Sequence, residues 1–95
     1  FLGGEMYESL EKILKEAFEQ ASKGKGEKRH GQGRDFSAQP IFWIEEHFKS
    51  FQLGQAAKKM HESQALPVEK AVAELLGAIN FLAAHVIYLR EKEER

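Results

Sequence analysis

Residues 68–92 read VEKAVAELLGAINFLAAHVIYLREK. Val68, Val72, Leu75, Ile79, Leu82, Val86 and Leu89 recur at alternating spacings of four and three, which places them in one stripe along a helix. Leu76, Phe81, Ala83, Ala84, Ile87 and Tyr88 occupy the other faces. A helix that is apolar all round must be buried all round. The chain has 95 residues, and domains of this size bury only about 60–70% of their unfolded surface. One copy therefore has little protein with which to wrap such a rod. The stretch predicts an all-α bundle of four to five helices that closes around a second copy, as a homodimer or a higher homo-oligomer.

Composition narrows the class of protein. Charged residues make up 31% of the chain, yet the net charge is −1. That balance argues against a general nucleic-acid partner, because phosphate contacts need a clear basic excess. No cysteine is present, so disulfides and thiolate metal sites are excluded, and a cytoplasmic location is expected. The apolar run from Leu75 to Leu89 is interrupted by Gly77, Asn80 and His85. It falls short of the roughly 20 residues of a membrane span, so no membrane partner is expected.

Working back from the rod, Pro67 can open its first turn. Helices are predicted over about residues 5–23, 40–51, 53–63 and 67–92 of a single domain, with a Gly-rich loop over 24–39. The first helix has a stripe of Met6, Leu10, Ile13, Ala17 and Ala21, widened by Tyr7, Leu14 and Phe18. The second should bury Ile41, Ile44, Phe48 and Phe51, and the third Leu53, Ala56, Ala57 and Met60. The loop GKGEKRHGQGRDFSAQ is locally basic. Lys23, Lys25, Lys28, Arg29 and Arg34 outweigh Glu27 and Asp35 in and beside it. Its RHGQGR segment interleaves glycine amides with cations, which suits phosphate oxygens. It matches neither a P-loop nor a dinucleotide fingerprint.

Acids beside apolar stripes are candidate metal ligands, since Mg²⁺ takes oxygen donors that facing helices can converge. Glu45 lies at the edge of the second helix's stripe, and Glu46 points about 100° further round. The simpler reading of both is an exposed charged face. Glu74 adjoins Leu75 in the apolar helix and needs a partner there. A salt bridge to Lys58 or Lys59 would supply one. Asn80 is the deepest polar residue of the rod, in file with Ala73, Gly77 and Ala84. It can fix a helix register or contact a ligand. Gly77 costs about 1 kcal/mol relative to alanine, so something is expected to need the missing side chain. His85 reads as a satisfied core or interface residue, and His30 sits in the basic loop.

The order of helices, with Glu45–Glu46 on the second and AELLGAINFLAAHVIYL on the last, resembles the all-α NTP pyrophosphatases, the MazG-like group. The segments RHGQGRDFSAQPI, LGQAAKKMHES and ELLGAINFLAA are more specifically similar to small archaeal and phage proteins placed near that group. The resemblance covers about residues 5–90. It implies Mg²⁺-dependent cleavage of a nucleoside triphosphate between its α and β phosphates. Carried onto this chain, it makes Glu45 and Glu74 catalytic and Glu45, Glu46 and Glu74 metal ligands. Arg29, His30, Arg34, Lys58, Lys59 and Asn80 would then bind substrate. The chain departs from the group's ExxE and ExxD pattern. The residues three after Glu45, Glu46 and Glu74 are Phe48, Lys49 and Gly77, none of them an acid. The expected function is therefore a pyrophosphohydrolase-type protein with a degenerate acidic motif. The alternative is a non-catalytic dimeric helical bundle that binds a nucleotide or a protein. A helix-turn-helix reading of FQLGQAAKKMHES is opposed by the overall charge.

Overall fold

A computed structural model describes residues 4–23 and 34–94, with side chains from Met6 onward. The described chain is all-helical, and no strand occurs among the described residues. Helix α1 spans Gly4–Lys23, a 3₁₀ turn spans Phe36–Ala38, and α2 spans Pro40–His47. Helix α3 spans Phe51–Ser63 and α4 spans Val68–Glu94. The molecule is flat, 38 × 37 × 24 Å, with α4 packed mainly on α3 and less extensively on α1.

The termini follow local chemistry. Pro40 sits in the first turn of α2, where its missing N–H costs nothing. Helix α2 stops at His47, four residues earlier than the sequence predicts. The chain then turns at Ser50, whose φ of 68° is left-handed, and restarts at once as α3. The break therefore lies at residues 48–50, not near Phe51–Leu53.

The buried faces also differ from those expected. Helix α2 buries Phe42 and Glu45, while Phe48 is 64% exposed. The aromatic core is small. Phe42 packs with Ala84 and Tyr88, flanked by Phe36, Ile41 and Ile87, and Phe36 meets Phe42 edge-on at 5.6 Å. Helix α3 buries Gln52, Ala56 and Ser63, and it leaves Leu53 and Met60 exposed. Among the described side chains of α1 only Ala17 is buried. Met6, Tyr7, Leu10, Leu14 and Phe18 are all exposed.

Helix α4 presents three faces. One carries Gly77, Phe81, Ala84, His85 and Tyr88 against α3 and the α2–α3 corner, with Phe81 edge-on to Phe51. A second turns Ala73 and Asn80 to α1, where the backbone oxygens of Ala73 and Ala17 accept from Gln20 Nε2 at 3.0 Å and Asn80 Nδ2 at 2.9 Å. The third is the stripe from Val68 to Leu89. Val68, Val72, Leu75, Leu82, Val86 and Leu89 are exposed in the single chain, and Ile79 is half-buried. A single copy wraps two flanks of the rod and leaves the third open.

Candidate functional site

The acidic candidates are built into the helix junctions. The Glu45 side chain turns inward from the last turn of α2, and the residue is 1% exposed. Its Oε2 accepts the Ser50 N–H at 2.9 Å, and its Oε1 accepts the Gln52 N–H at 2.7 Å. These amides open α3, where the first N–H groups lack helical partners and the dipole favours an anion. Burial of the charge is thus balanced by two charge-assisted hydrogen bonds. Neither an exposed charged face nor an open ligand position describes Glu45 as found.

A polar chain continues from there. Gln52 Nε2 donates to the Ile41 oxygen at 3.3 Å, which leaves its Oε1 to accept from His85 Nδ1 at 3.1 Å. A side-chain amide oxygen only accepts, so this contact requires a proton on His85 Nδ1. The same nitrogen lies 3.8 Å from Glu45 Oε1. His85 is a satisfied residue of the α3–α4 contact, as its place in the sequence suggested.

Glu46 faces the end of α4. The Tyr88 hydroxyl donates to Glu46 Oε2 at 2.9 Å, and Lys49 Nζ donates to the Tyr88 oxygen at 2.9 Å. The bond to Tyr88, with the nearby Glu46 charge, holds the Lys49 ammonium above its ordinary pKa of 10.5.

Glu74 pairs with Lys59 of α3 at 3.6 Å, which is one of the two salt bridges the sequence offered. The stem of Lys59 lies over Gly77, where a β-carbon would come within 3.0 Å of the lysine Cδ. The glycine lets the lysine stem lie close against α4, and a β-carbon there would require Lys59 to shift by a few tenths of an ångström. Lys58 is exposed on the same helix.

These residues do not gather. Glu45 is level with His85, and Glu74 stands eleven residues earlier on the same helix. That is about 16 Å along the axis at 1.5 Å per residue. Mg²⁺ holds its oxygens at about 2.1 Å, so one ion cannot join Glu45 and Glu74 of the same chain. Among the described residues no group of three His, Cys, Asp or Glu side chains could hold a metal. Both oxygens of Glu45 accept amides, Oε2 of Glu46 accepts the Tyr88 hydroxyl, Oε2 of Glu74 faces Lys59, and the separation of Glu45 from Glu74 does not fit one Mg²⁺ within one copy.

The substrate-binding candidates divide as well. Arg34 and Asn80 border an apolar groove between α1 and α4, of about 520 Å³, flanked by Phe18 and Phe36. Lys58 and Lys59 belong to α3, on a different flank of α4. Arg29 and His30 lie outside the described residues. Sequence reasoning missed Gln52 and Tyr88 as polar organisers. Gln52 is fully buried and Tyr88 is 4% exposed. A glutamine seven residues after an acid, across a helix break, carries no recognised spacing. Only the contact reveals it.

Helix α4 also contains an 18-residue window long and apolar enough to cross a membrane, by length and composition alone. Comparison with known protein families, curated proteins and solved structures finds no match to this chain.

Proposed function

We propose that this chain is a non-catalytic helical module that works as a homodimer and serves binding, to a nucleotide or a protein, rather than hydrolysis. The observation that carries the reading is the open third face of α4. Six large aliphatic side chains in one stripe stand 38–74% exposed on a helix whose other two faces meet α3 and α1. A contiguous apolar surface of this kind marks an association site in a soluble protein.

The pyrophosphohydrolase reading draws on the resemblance to the MazG-like group. It needs the acids to converge with free oxygens, and in one copy they are separated and engaged. That geometry favours the binding reading.

Two measurements on the intact chain test it. Sedimentation should show a dimer that dissociates when Leu82 or Val86 is replaced by glutamate, with helicity retained. A concentration-independent monomer would refute the assembly. A panel of nucleoside and deoxynucleoside triphosphates with Mg²⁺ or Mn²⁺ should release no pyrophosphate. Release that disappears in Glu74→Gln would overturn the non-catalytic part and restore the enzyme. Flotation with phosphatidylcholine vesicles separates the remaining case. If the chain floats and the Leu82→Glu variant does not, the stripe is a lipid-binding face and the dimer reading is withdrawn.

A further inference from the structure

The open face of α4 carries more information than its apolarity: its pattern gives the pairing a direction, a conclusion that rests on the dimer reading. Val72, Ile79 and Val86 recur every seven residues, and Leu75, Leu82 and Leu89 follow each by three. A seven-residue repeat of apolar side chains at two core positions packs as knobs into the holes of a facing helix that carries the same repeat. The occupant that fits this stripe is the same stripe on a second copy.

Direction is set by the residues flanking such a seam. On the flank toward α1 the flanking positions are Glu69, Leu76, Ala83 and Arg90. On the flank toward α3 they are Ala71, Ala78, His85 and Lys92. A parallel pair sets the first flank of one copy against the second flank of the other. It then places His85 beside the partner's Arg90 and brings no acid to a base. An antiparallel pair sets like flank against like. With Ile79 facing the partner's Leu82, Leu75 faces the partner's Val86 and Val72 faces the partner's Leu89. In that register Glu69 lies opposite the partner's Arg90, and symmetry repeats the pair at the other end. Glu69 and Arg90 are both exposed, and neither takes part in an ion pair among the described residues. The antiparallel arrangement also opposes the two α4 dipoles.

We infer that two copies pair antiparallel along the open face of α4, about a two-fold axis between Asn80 and Phe81, with Glu69 of each copy opposite the partner's Arg90. The whole stripe from Val72 to Leu89 is then covered. Both α1 helices fall on one side of the α4 pair and both α3 helices on the other.

The chain has no cysteine, so introduced thiols report the direction. Val72→Cys and Leu89→Cys are prepared separately, checked for helicity and sedimentation, and mildly oxidised alone and as an equimolar mixture after subunit exchange. The expected result is a disulfide-linked dimer from the mixture and none from either variant alone. A linked dimer from Leu89→Cys alone means a parallel pair and overturns the inference while leaving the dimer intact. A dimer in sedimentation with no link in any sample overturns it as well. A monomer throughout removes the dimer itself, and the direction with it. As an independent arm, Glu69→Arg and Arg90→Glu should each weaken dimerisation by about tenfold through two lost pairs and two new repulsions. The double reversal should restore it. A double variant no tighter than the singles counts against the register.

Discussion

Replacing Glu45 by alanine should cost this domain a large share of its stability. The carboxylate accepts two backbone N–H groups at 2.9 and 2.7 Å, and the residue is 1% exposed. Removing it strands both donors where water has little access, at about 1–3 kcal/mol each. It also removes the anion at the start of α3, an N-terminal cap interaction of about 1 kcal/mol. These contributions overlap, so the expected loss is about 3–4 kcal/mol, where a chain of this length holds about 5–14 kcal/mol in all. Thermal unfolding should fall by about 15–30 °C. Glu45→Gln keeps the shape and one acceptor oxygen, and it should lose about half as much. Circular dichroism melts with and without Mg²⁺ read both roles. A structural anchor predicts the same loss in either buffer. The reasoning fails if Glu45→Ala melts within a few degrees of wild type. It fails equally if Mg²⁺ raises the wild-type midpoint and leaves Glu45→Gln unmoved, because the carboxylate would then be a ligand.

Three other outcomes are expected. Ser50 holds a left-handed φ of 68°, so Ser50→Gly should stabilise the chain by about 0.5–1 kcal/mol in denaturant titration. No change would mean that the αL turn carries no strain. Asn80→Ala removes the bond that ties α4 to the Ala17 oxygen, and hydrogen exchange should show α1 losing protection before α3 does. Uniform loss across both helices would contradict that order. The Lys49 pKa is raised by its bond to Tyr88, so its contribution is complete below the ordinary lysine pKa of 10.5 and disappears as pH climbs through the raised value. Wild type should therefore melt above Lys49→Met at mildly alkaline pH and converge with it once pH has passed the raised value. A gap that persists beyond that point would assign the effect to packing.

Much of the fold could be read from periodicity and turn chemistry. Pro40 and Pro67 mark helix starts, and the stripe of α4 is unmistakable. These are local signals, carried by residues a turn or two apart. The faces of the short helices could not be read this way. Helix α2 has eight residues, barely two turns, and its aromatic and aliphatic positions fill most of the wheel. The Ile41–Ile44–Phe48 face and the Phe42–Glu45 face are then equally plausible as spacing. Closure at Ser50 selects the second, because only that rotation brings the Glu45 carboxylate to the free amides of α3.

The candidate site divides along the same line. Residue type and neighbourhood identified Glu74 as an acid needing a cation and Gly77 as a position that something must approach. Lys59 answers both at once. That one lysine does so depends on the packing of α3 against α4, which no spacing within either helix specifies. Likewise the seven-residue stripe of α4 fixes that an apolar face exists. Which flanks neighbouring helices cover, and which one is left open, depends on where α1 and α3 land. Amphipathic pattern is a property of one helix and is written in its own residues. Burial is a property of pairs, and it depends on contacts between segments far apart in the chain.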